Sequence, residues 1–291
     1  MDAHAITLII PALNEVASIA DVVRGLRAAL PAAEVIVVDD GSTDGTGDAA
    51  REAGARVIRH EVCRGYGSSL KSGVLASGRE FVLFCDADGQ HRVEDVVRIA
   101  SFGDAYDMVV GARTRDSHAP TVRRPGKWIL RNVANYLARQ ELPDFNSGLR
   151  MIRRSVLLRY LHLMPEGFSF STTSTFALIK AGYSIHWEPI TVLARKGTSS
   201  VRQWKHGPQT VLLILRLTVL FEPLRVFLQL SAALGIATLA SFAKDVLKSP
   251  WDGLGAVTTI LALATLLVFL FGLLCDQVSA VRREMHDFHN R

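Results

Sequence analysis

The sequence has little cysteine and slightly less charge than most globular proteins. Its three cysteines, Cys63, Cys85 and Cys275, are widely separated and match no metal-ligand spacing, which argues for a reducing compartment. Charged residues make up 21% of the 291 residues and apolar residues make up 49%. These proportions exclude a disordered chain, a collagen and a disulfide scaffold. No basic stretch precedes the first apolar run, so no signal peptide is expected.

Two stretches in the last third of the chain contain no Asp, Glu, Lys or Arg. Residues 226–243 and 253–275 are each long enough to cross a bilayer, which takes roughly 20 apolar residues. The segment between them, 244–252, is polar and includes Trp251, as expected for a short turn at the membrane interface. The pattern predicts a two-helix transmembrane hairpin, with a hairpin buried in a soluble core as the alternative.

The basic residues that flank these spans predict their orientation. Arg216 and Arg225 precede the first span, and Arg282 and Arg283 follow the second. Because Lys and Arg favour the cytoplasmic side, both termini are expected in the cytoplasm of a multi-pass cell-membrane protein. The predicted parts are a cytoplasmic domain (1–205), an amphipathic helix on the membrane surface (206–223), two transmembrane helices (224–280) and a cytoplasmic tail (281–291).

The first 200 residues alternate between short apolar runs and segments of helical periodicity. This alternation predicts an α/β domain with a mainly parallel sheet and helices on both faces. The predicted strands are 6–11, 34–38, 56–58, 81–85 and 108–110. The predicted helices are 15–30, 42–53, 68–76 and 93–100.

Positive charge is concentrated in one part of the chain. Residues 111–159 contain eleven basic and three acidic side chains, a net charge of +8, although the whole chain carries only +5. Such an excess favours an anionic partner, while a solvated helix face is the alternative. No nucleic-acid recognition module accompanies it, so nucleic acid is not an expected partner.

Polar residues follow three of the predicted strands. The segments are PALNE (11–15), DDGS (39–42) and DADGQH (86–91). In parallel sheets, ligands bind beyond the carboxyl ends of the strands. The carboxylates of Asp86 and Asp88, with the amide oxygen of Gln90, are the hard donors that Mg²⁺ or Mn²⁺ prefers. The alternative is a turn in which an aspartate caps the next helix.

These three segments, in this order, resemble glycosyltransferase family 2, which has the nucleotide-sugar-binding GT-A fold. The resemblance extends from residue 6 to about residue 202. Later segments are similar to the polyprenyl-phosphate branch of the family, which includes dolichol-phosphate mannose synthases. Those segments are GAR (111–113), NVAN (132–135), DFNSGLR (144–150) and RKGTSSVR (195–202).

The resemblance implies a role for each matched residue. The implied nucleotide-binding residues are Pro11, Asn14, Glu15, Asp39, Asp40, Asp86 and Arg202. The implied ligands of Mg²⁺ or Mn²⁺ are Asp86, Asp88 and Gln90. The implied contacts of the acceptor phosphate are Arg113, Arg131, Asn135, Asp144 and Ser147. The residues expected to act in catalysis are Asp86, Asp88, Arg113 and Arg131.

The chain has no acid where relatives that glycosylate hydroxyl groups carry a catalytic base. The corresponding stretch, FSFSTTST (168–175), contains none, and Glu166 is the nearest candidate. A hydroxyl needs deprotonation before it attacks, whereas a phosphate monoester with a second pKa of about 6 is already an anion. The absence therefore favours a lipid phosphate as the acceptor.

The expected function is metal-dependent transfer of a sugar, with inversion, from a UDP- or GDP-sugar to undecaprenyl or dolichyl phosphate at the cytoplasmic membrane face. One alternative is a glycosyltransferase acting on a sugar hydroxyl of a lipid-linked oligosaccharide or polysaccharide. Another is a non-catalytic nucleotide-sugar-binding membrane scaffold. The sugar, the nucleotide, the lipid and the oligomeric state stay open, a homo-oligomer included.

Overall fold

The computed structural model describes residues 5–114, 124–167, 169–193, 216, 219, 223–248 and 253–289. The chain divides into two compact units, Met1–Gly207 and Pro208–Arg291. The first unit corresponds to the predicted globular domain, and the second contains the predicted spans. Each unit is considered by itself.

The described part of the first unit contains seven strands and seven α-helices. The strands are β1 (Ile6–Ala12), β2 (Glu34–Asp39), β3 (Arg56–Arg59), β4 (Phe81–Phe84), β5 (Met108–Arg113), β6 (Arg150–Arg153) and β7 (Ile185–Ile190). The helices are α1 (Val16–Ala29), α2 (Thr46–Glu52), α3 (Tyr66–Ala76), α4 (Val93–Ala100), α5 (Arg124–Ala138), α6 (Arg154–Tyr160) and α7 (Phe170–Lys180). A 3₁₀ turn, Leu161–Leu163, follows α6.

One seven-stranded sheet runs through the unit in the order β3-β2-β1-β4-β6-β5-β7. Every pairing is parallel except those of β6, which is antiparallel to both β4 and β5. The prediction of an α/β domain with a mainly parallel sheet is confirmed. The five predicted strands correspond to β1 to β5, whereas β6 and β7 were not predicted.

The central strands are apolar because both of their faces are covered. All residues of β1 and β4, and five of the six in β2, are buried. Such strands form continuous apolar runs in the sequence. The parallel registers place Ala12 beside Asp39 and Ile9 beside Phe84. The polar segments that follow β1, β2 and β4 therefore meet at one edge of the sheet.

The reversed direction of β6 brings a fourth segment to the same edge. Arg150, the first residue of β6, pairs with Phe84 at the end of β4 and with Val110 of β5. Residues 144–149, which lead into β6, consequently lie beside the carboxyl ends of β4 and β5. A parallel strand at this position would have placed them at the opposite edge.

The described part of the second unit contains two helices, α8 (Pro223–Lys248) and α9 (Ala256–His289), that are long and apolar enough to cross a membrane. The predicted apolar hairpin is confirmed. The prediction that the turn begins at residue 244 is wrong, because α8 continues to Lys248. At the other end, α9 continues through the predicted tail to His289. The predicted surface helix, 206–223, falls almost entirely outside the described residues.

Polar side chains join the two helices of the hairpin. Asp245 accepts hydrogen bonds from the backbone N–H of Gly255 at 2.9 Å and from the Thr258 hydroxyl at 2.6 Å. Farther along, the hydroxyls of Thr238 and Thr265 lie 3.2 Å apart. Hydroxyls bonded between helices satisfy one another where lipid offers no partner. The hairpin therefore keeps these polar groups on its inner face.

Candidate active site

Asp39, at the end of β2, is 1% exposed and lines a polar cleft. Its Oδ1 accepts the Ser42 N–H at 2.9 Å, and its Oδ2 lies 3.8 Å from Arg59 Nε. A Cβ at Gly47 would stand 2.6 Å from that Oδ2, so a side chain there would press on the carboxylate. The other residues that line the cleft are Ser42, Thr43, Gly45, Thr46, Gly47, Asp48 and Arg59.

The segment after β1 is bonded to the segment after β2. Asn14 has a left-handed φ of 55°, donates its N–H to the Ser42 hydroxyl and accepts the Thr43 N–H on its Oδ1. The N–H of Glu15 donates to the Thr46 hydroxyl at 2.9 Å. Pro11 is buried within β1. The structure thus joins Asn14 and Glu15 to residues that line the cleft beside Asp39.

Asp40 points into the protein and is 4% exposed. Its carboxylate accepts hydrogen bonds from His60 Nδ1, from the backbone N–H groups of Arg64 and Gly65, and from the Cys63 thiol. Burial alone would raise the pKa of Asp40, but the bonds from His60 and the two backbone amides outweigh it and lower the pKa. The carboxylate fixes the segment between β3 and α3, and its contact with the nucleotide stays a prediction.

Asp86, after β4, is half-buried and lies beside His91 of its own segment and beside residues from two other parts of the unit. Its Oδ1 accepts the Tyr66 hydroxyl at 3.2 Å. Its Oδ2 lies 3.9 Å from His91 Nε2, and a Cβ at Gly148 would stand 2.8 Å from that oxygen. His91 Nδ1 accepts the N–H of Asp86 at 3.3 Å, which leaves the proton of a neutral ring on Nε2. The proximity of α3 and of the segment before β6 was not predicted.

Tyr66 is held as a donor toward Asp86. Burial and the negative charge of Asp86 raise the pKa of Tyr66 well above its usual value. The phenol therefore stays protonated at neutral pH and donates its proton to the carboxylate. Ser171, in the first turn of α7, lies close to the same hydroxyl and partly opposes the rise in its pKa.

Arg113, at the end of β5, forms a bidentate ion pair with Asp144. Its Nε lies 2.6 Å from Oδ2, and its Nη2 lies 2.9 Å from Oδ1. These bonds raise the pKa of Arg113, and the charge of Asp86 is close enough to add to the effect. Two predicted acceptor contacts are therefore joined beside the predicted metal site.

The other predicted acceptor residues occupy different surroundings. Asn135 on α5 accepts the Leu142 N–H at 3.0 Å and so orders the chain that leads to β6. Ser147 is buried, and its carbonyl accepts hydrogen bonds from Arg150. Arg131 is exposed on α5. Arg202 lies outside the described residues.

The sequence profile of glycosyl transferase family 2 matches residues 7–161. The chain belongs to this family. The profile of the GtrB C-terminal hairpin matches residues 222–281, which contain α8 and the apolar part of α9. The resemblance drawn from the strand-end segments is confirmed, and the protein is an enzyme of the glycosyltransferase class.

The relatives of this glycosyltransferase include enzymes whose names describe an activity. The undecaprenyl-phosphate mannosyltransferase of Micrococcus luteus is 30% identical over 203 residues, which cover 65% of this chain and 83% of the relative. The dolichyl-phosphate hexose transferase of Haloferax volcanii is 32% identical over 178 residues, which cover 60% and 76%. Both alignments support placing the chain near the polyprenyl-phosphate branch of the family.

A solved structure resembles the fold of this glycosyltransferase. It is glucosyl-3-phosphoglycerate synthase from Mycobacterium tuberculosis in complex with Mn²⁺, UDP and glucosyl-3-phosphoglycerate. The TM-score is 0.60 at 22% identity, and the match covers 75% of this chain and 81% of that one. This likeness confirms the GT-A-like architecture.

The donor groups after β4 suit a hard divalent cation. No cluster of three or more His, Cys, Asp and Glu side chains lies together within the described ranges. Asp86 and Asp88 supply carboxylate oxygens, and Gln90 supplies an amide oxygen while its Nε2 donates to the Leu193 carbonyl. Mg²⁺ typically binds to one or two carboxylates and completes its shell with waters and substrate phosphates. The residues present therefore fit Mg²⁺ or Mn²⁺.

Arg150 is a buried residue beside the candidate site, and its position there was not predicted from the sequence. It is 0% exposed and donates to the carbonyls of Ser147 and Ser171 and to the hydroxyls of Ser174 and Thr175. Burial lowers the pKa of Arg150 to about 10, so the side chain is still a cation at neutral pH. In the sequence it is one of eleven basic residues in the positive stretch, and only its place in the segment 144–150 set it apart.

We expect Asp40→Asn to destabilise the protein at pH 7 by about 1–3 kcal/mol, because one buried acceptor for several donors is replaced by an amide. The pKa of Asp40 is lower in the folded protein, so its stabilising effect is present above the usual value of 3.8 and is lost as the pH falls below it. Thermal unfolding of the detergent-solubilised chain between pH 3 and pH 7 measures the difference. Asp48→Asn, at an exposed helix position, is the control. An equal destabilisation at every pH would contradict this interpretation.

We expect Gly148→Ala to lower sugar transfer about ten- to a hundredfold, because the new methyl group displaces the Asp86 carboxylate. Steady-state rates of the purified enzyme measure the loss. Gly167→Ala is the matched control, since no atom lies within 4 Å of a Cβ at that position. Similar rates for the two variants would show that Asp86 tolerates displacement.

Proposed function

We propose that this glycosyltransferase moves a sugar from a UDP- or GDP-sugar to a polyprenyl phosphate at the cytoplasmic face of the membrane. The observation that carries the proposal is the helix α7, which borders the acceptor segment and contains hydroxyl groups but no carboxylate. The Thr172 hydroxyl donates to Asn146 Oδ1 at 3.2 Å, which places the first turn of α7 against residues 144–148. The base that a hydroxyl acceptor needs is missing from this helix.

The position of Glu166 supports a structural role in its loop and not the role of that base. Its side chain is exposed, and its backbone carbonyl accepts the Ser68 N–H at the start of α3. A phosphate monoester needs no base, since with a second pKa of about 6 it is mostly a dianion at pH 7. The acid-free helix therefore favours an acceptor that arrives already ionised.

Arg113 supplies a cationic contact for such an acceptor. Its pairing with Asp144 uses Nε and Nη2 and does not involve Nη1. A phosphate oxygen can be bound by Nη1 while Asp144 holds the plane of the guanidinium. Arg131, exposed on α5, adds positive charge on the same segment of chain.

The relatives support the same acceptor and donor chemistry. The two relatives compared above are named for transfer to undecaprenyl and dolichyl phosphate. The structural neighbour was solved with Mn²⁺ and UDP, which supports a divalent cation and a nucleotide-linked donor. Here Asp86, Asp88 and Gln90 would hold Mg²⁺ or Mn²⁺. Such an ion neutralises charge on a departing nucleoside diphosphate.

The protein's own residues would act chiefly by positioning. Asp39 and the rim formed by Asn14 and Glu15 hold the nucleoside, and Arg113 orients the acceptor oxygen toward the anomeric carbon. A single displacement from the opposite face inverts that carbon. Proximity and fixed charges supply the acceleration, since this acceptor has no proton to lose before it attacks.

The decisive experiment incubates the detergent-purified chain and Mn²⁺ with labelled UDP- and GDP-sugars and three acceptors: a polyprenyl phosphate, the corresponding polyprenol and a soluble saccharide. We expect label in the organic phase only with the polyprenyl phosphate, and an inverted anomeric configuration in its NMR spectrum. Label on the polyprenol or the saccharide would overturn the proposed acceptor. No transfer from any donor would favour a nucleotide-sugar-binding scaffold.

Variants test the assigned roles in the same assay. Asp88→Ala is expected to reduce transfer at least a hundredfold, because a carboxylate for the cation is lost. Arg113→Lys keeps the positive charge but loses the planar guanidinium that can bind two oxygens at once. The KM for polyprenyl phosphate should therefore rise more than the KM for the donor. Arg51→Lys, at an exposed position on α2, is the control for Arg113→Lys. Near-normal turnover by Asp88→Ala would contradict the metal assignment.

The membrane orientation has its own test. The basic residues that flank the hairpin support cytoplasmic termini and an extracytoplasmic turn near Lys248. A single cysteine placed at Lys248, in a chain whose native cysteines are replaced by serine, should react with a membrane-impermeant maleimide in intact cells. A cysteine placed at Asp2 should react only after the cells are opened. The reverse pattern would invert the proposed topology.

A further inference from the structure

The orientation of the Asp86 carboxylate is set by residues outside the Asp-x-Asp segment. Tyr66 donates to its Oδ1 at 3.2 Å, and the absence of a side chain at Gly148 leaves room for its Oδ2. His91 accepts the backbone N–H of Asp86 and thereby fixes the start of the turn. Of these three neighbours, Tyr66 alone donates a hydrogen bond of ordinary length to the carboxylate in the described contacts.

The backbone around Tyr66 is anchored on two sides. Asp40 accepts the N–H groups of Arg64 and Gly65 at 2.9 and 2.8 Å, just before α3 begins. On the other side, a Cβ at Gly65 would stand 2.8 Å from the carbonyl oxygen of Glu166, and a Cβ at Gly67 would clash with the same stretch of backbone. The two glycines let α3 approach that backbone closely. The backbone on both sides of Tyr66 is consequently fixed by contacts that do not involve Asp86.

The hydroxyl of Tyr66 has a further neighbour. Ser171, in the first turn of α7, is close enough to affect the pKa of that hydroxyl. The carbonyl of Ser171 accepts a hydrogen bond from the buried Arg150 at 2.6 Å, which fixes that turn. Arg150, Ser171, Tyr66 and Asp86 therefore follow one another as neighbouring groups.

We propose that Tyr66 is a positioning residue that holds the Asp86 carboxylate in the orientation that binds a divalent cation, and that Ser171 supports it in this role. The inference rests on the proposed function, which gives Asp86 a cation to bind. Hydrogen-bonding partners of ligating carboxylates usually contribute about 10–100-fold to metal affinity or activity. Without Tyr66, the carboxylate would have to be ordered when the cation binds, at a cost in side-chain entropy.

Tyr66→Phe isolates this role, because it removes the hydroxyl and keeps the ring. The measurement is Mn²⁺ binding by the full-length chain in detergent, followed by the EPR signal of free Mn²⁺, with Mn²⁺ alone and with added UDP or GDP. We expect the Kd for Mn²⁺ to rise about tenfold or more, while the midpoint of thermal unfolding changes little. Tyr183→Phe is the matched control, since its ring packs edge-on against Tyr160.

Two further variants separate positioning from general packing. Ser171→Ala leaves the bond between Tyr66 and Asp86 in place, so its Kd should lie between those of the wild type and Tyr66→Phe. In an Asp86→Asn background, Tyr66→Phe should cause no further loss, since the carboxylate on which it acts is gone. In the transfer assay, the KM for Mn²⁺ should rise more than kcat at saturating Mn²⁺ falls.

The possible outcomes distinguish a failure of the role of Tyr66 from a failure of the proposed function. Wild-type affinity in Tyr66→Phe, an equal loss in both backgrounds, or a wild-type chain that binds no Mn²⁺ under any condition would overturn the role of Tyr66. If Mn²⁺ binding responds as expected but no donor is turned over, the proposed function fails and the role of Tyr66 stands. If transfer proceeds and Tyr66→Phe leaves the Kd and the KM for Mn²⁺ unchanged, the proposed function stands and the role of Tyr66 fails.

Discussion

The burial of carboxylates is the constraint on which this site depends. Asp39, Asp40, Asp86 and Asp88 lie at or just after the ends of the parallel strands β2 and β4, and all four are at least partly buried. A carboxylate removed from water opposes folding unless hydrogen-bond donors replace the lost hydration. The structure offsets this by giving the buried carboxylates donors from other segments. Asp39 accepts a hydrogen bond from the Ser42 amide, and Asp86 accepts one from the Tyr66 hydroxyl. Asp40 accepts hydrogen bonds from His60 and from two backbone amides.

Arg150 supplies a buried positive charge close to Asp144 and Asp86. Its guanidinium is fully buried and remains charged because carbonyls and hydroxyls surround it. The same bonds join the segment before β6 to the first turns of α7. One cation therefore serves the electrostatics of the site and also fixes the distance between two of its walls. A hydrophobic side chain of similar size would leave several buried acceptors without donors.

The parallel strands β1 to β5 could be predicted because the signals for each one lie in a short, continuous stretch of the sequence. Strands β1 and β4 consist almost entirely of apolar residues, and a polar residue, Asn14 or Asp86, stands two positions after each, so the sequence indicates both the strands and their ends. In contrast, β6 consists of four residues with arginine at both ends, and it becomes a strand only by pairing with β4 and β5. The edge strand β7 contains Pro189, which an interior strand would not accommodate. Both depend on partners that are distant in sequence.

The same distinction applies to the site. The roles of Asp39, Asp86 and Asp88 were suggested by motif and strand end, which are local features. The burial of Asp40 depends on residues 60–65, and the proximity of Tyr66 to Asp86 depends on the packing of α3 against β1 and β2. The helix α7 begins with a run of Ser and Thr, which are weak helix formers, and part of its stabilisation comes from hydroxyl bonds to Arg150. No periodicity in the sequence reports such tertiary bonds.

The antiparallel strand β6 places the predicted acceptor residues on one continuous stretch of the chain. The chain leaves the sheet at the end of β5 and returns at the start of β6, both on the same edge. Arg113, Arg131, Asp144 and Gly148 all lie between the last residue of β5 and the start of β6, whereas Asp39, Asp86 and Asp88 lie at the ends of β2 and β4. One continuous stretch, residues 113–149, therefore carries the predicted acceptor contacts, and the pairing of β5 with β6 holds both of its ends at the same edge of the sheet.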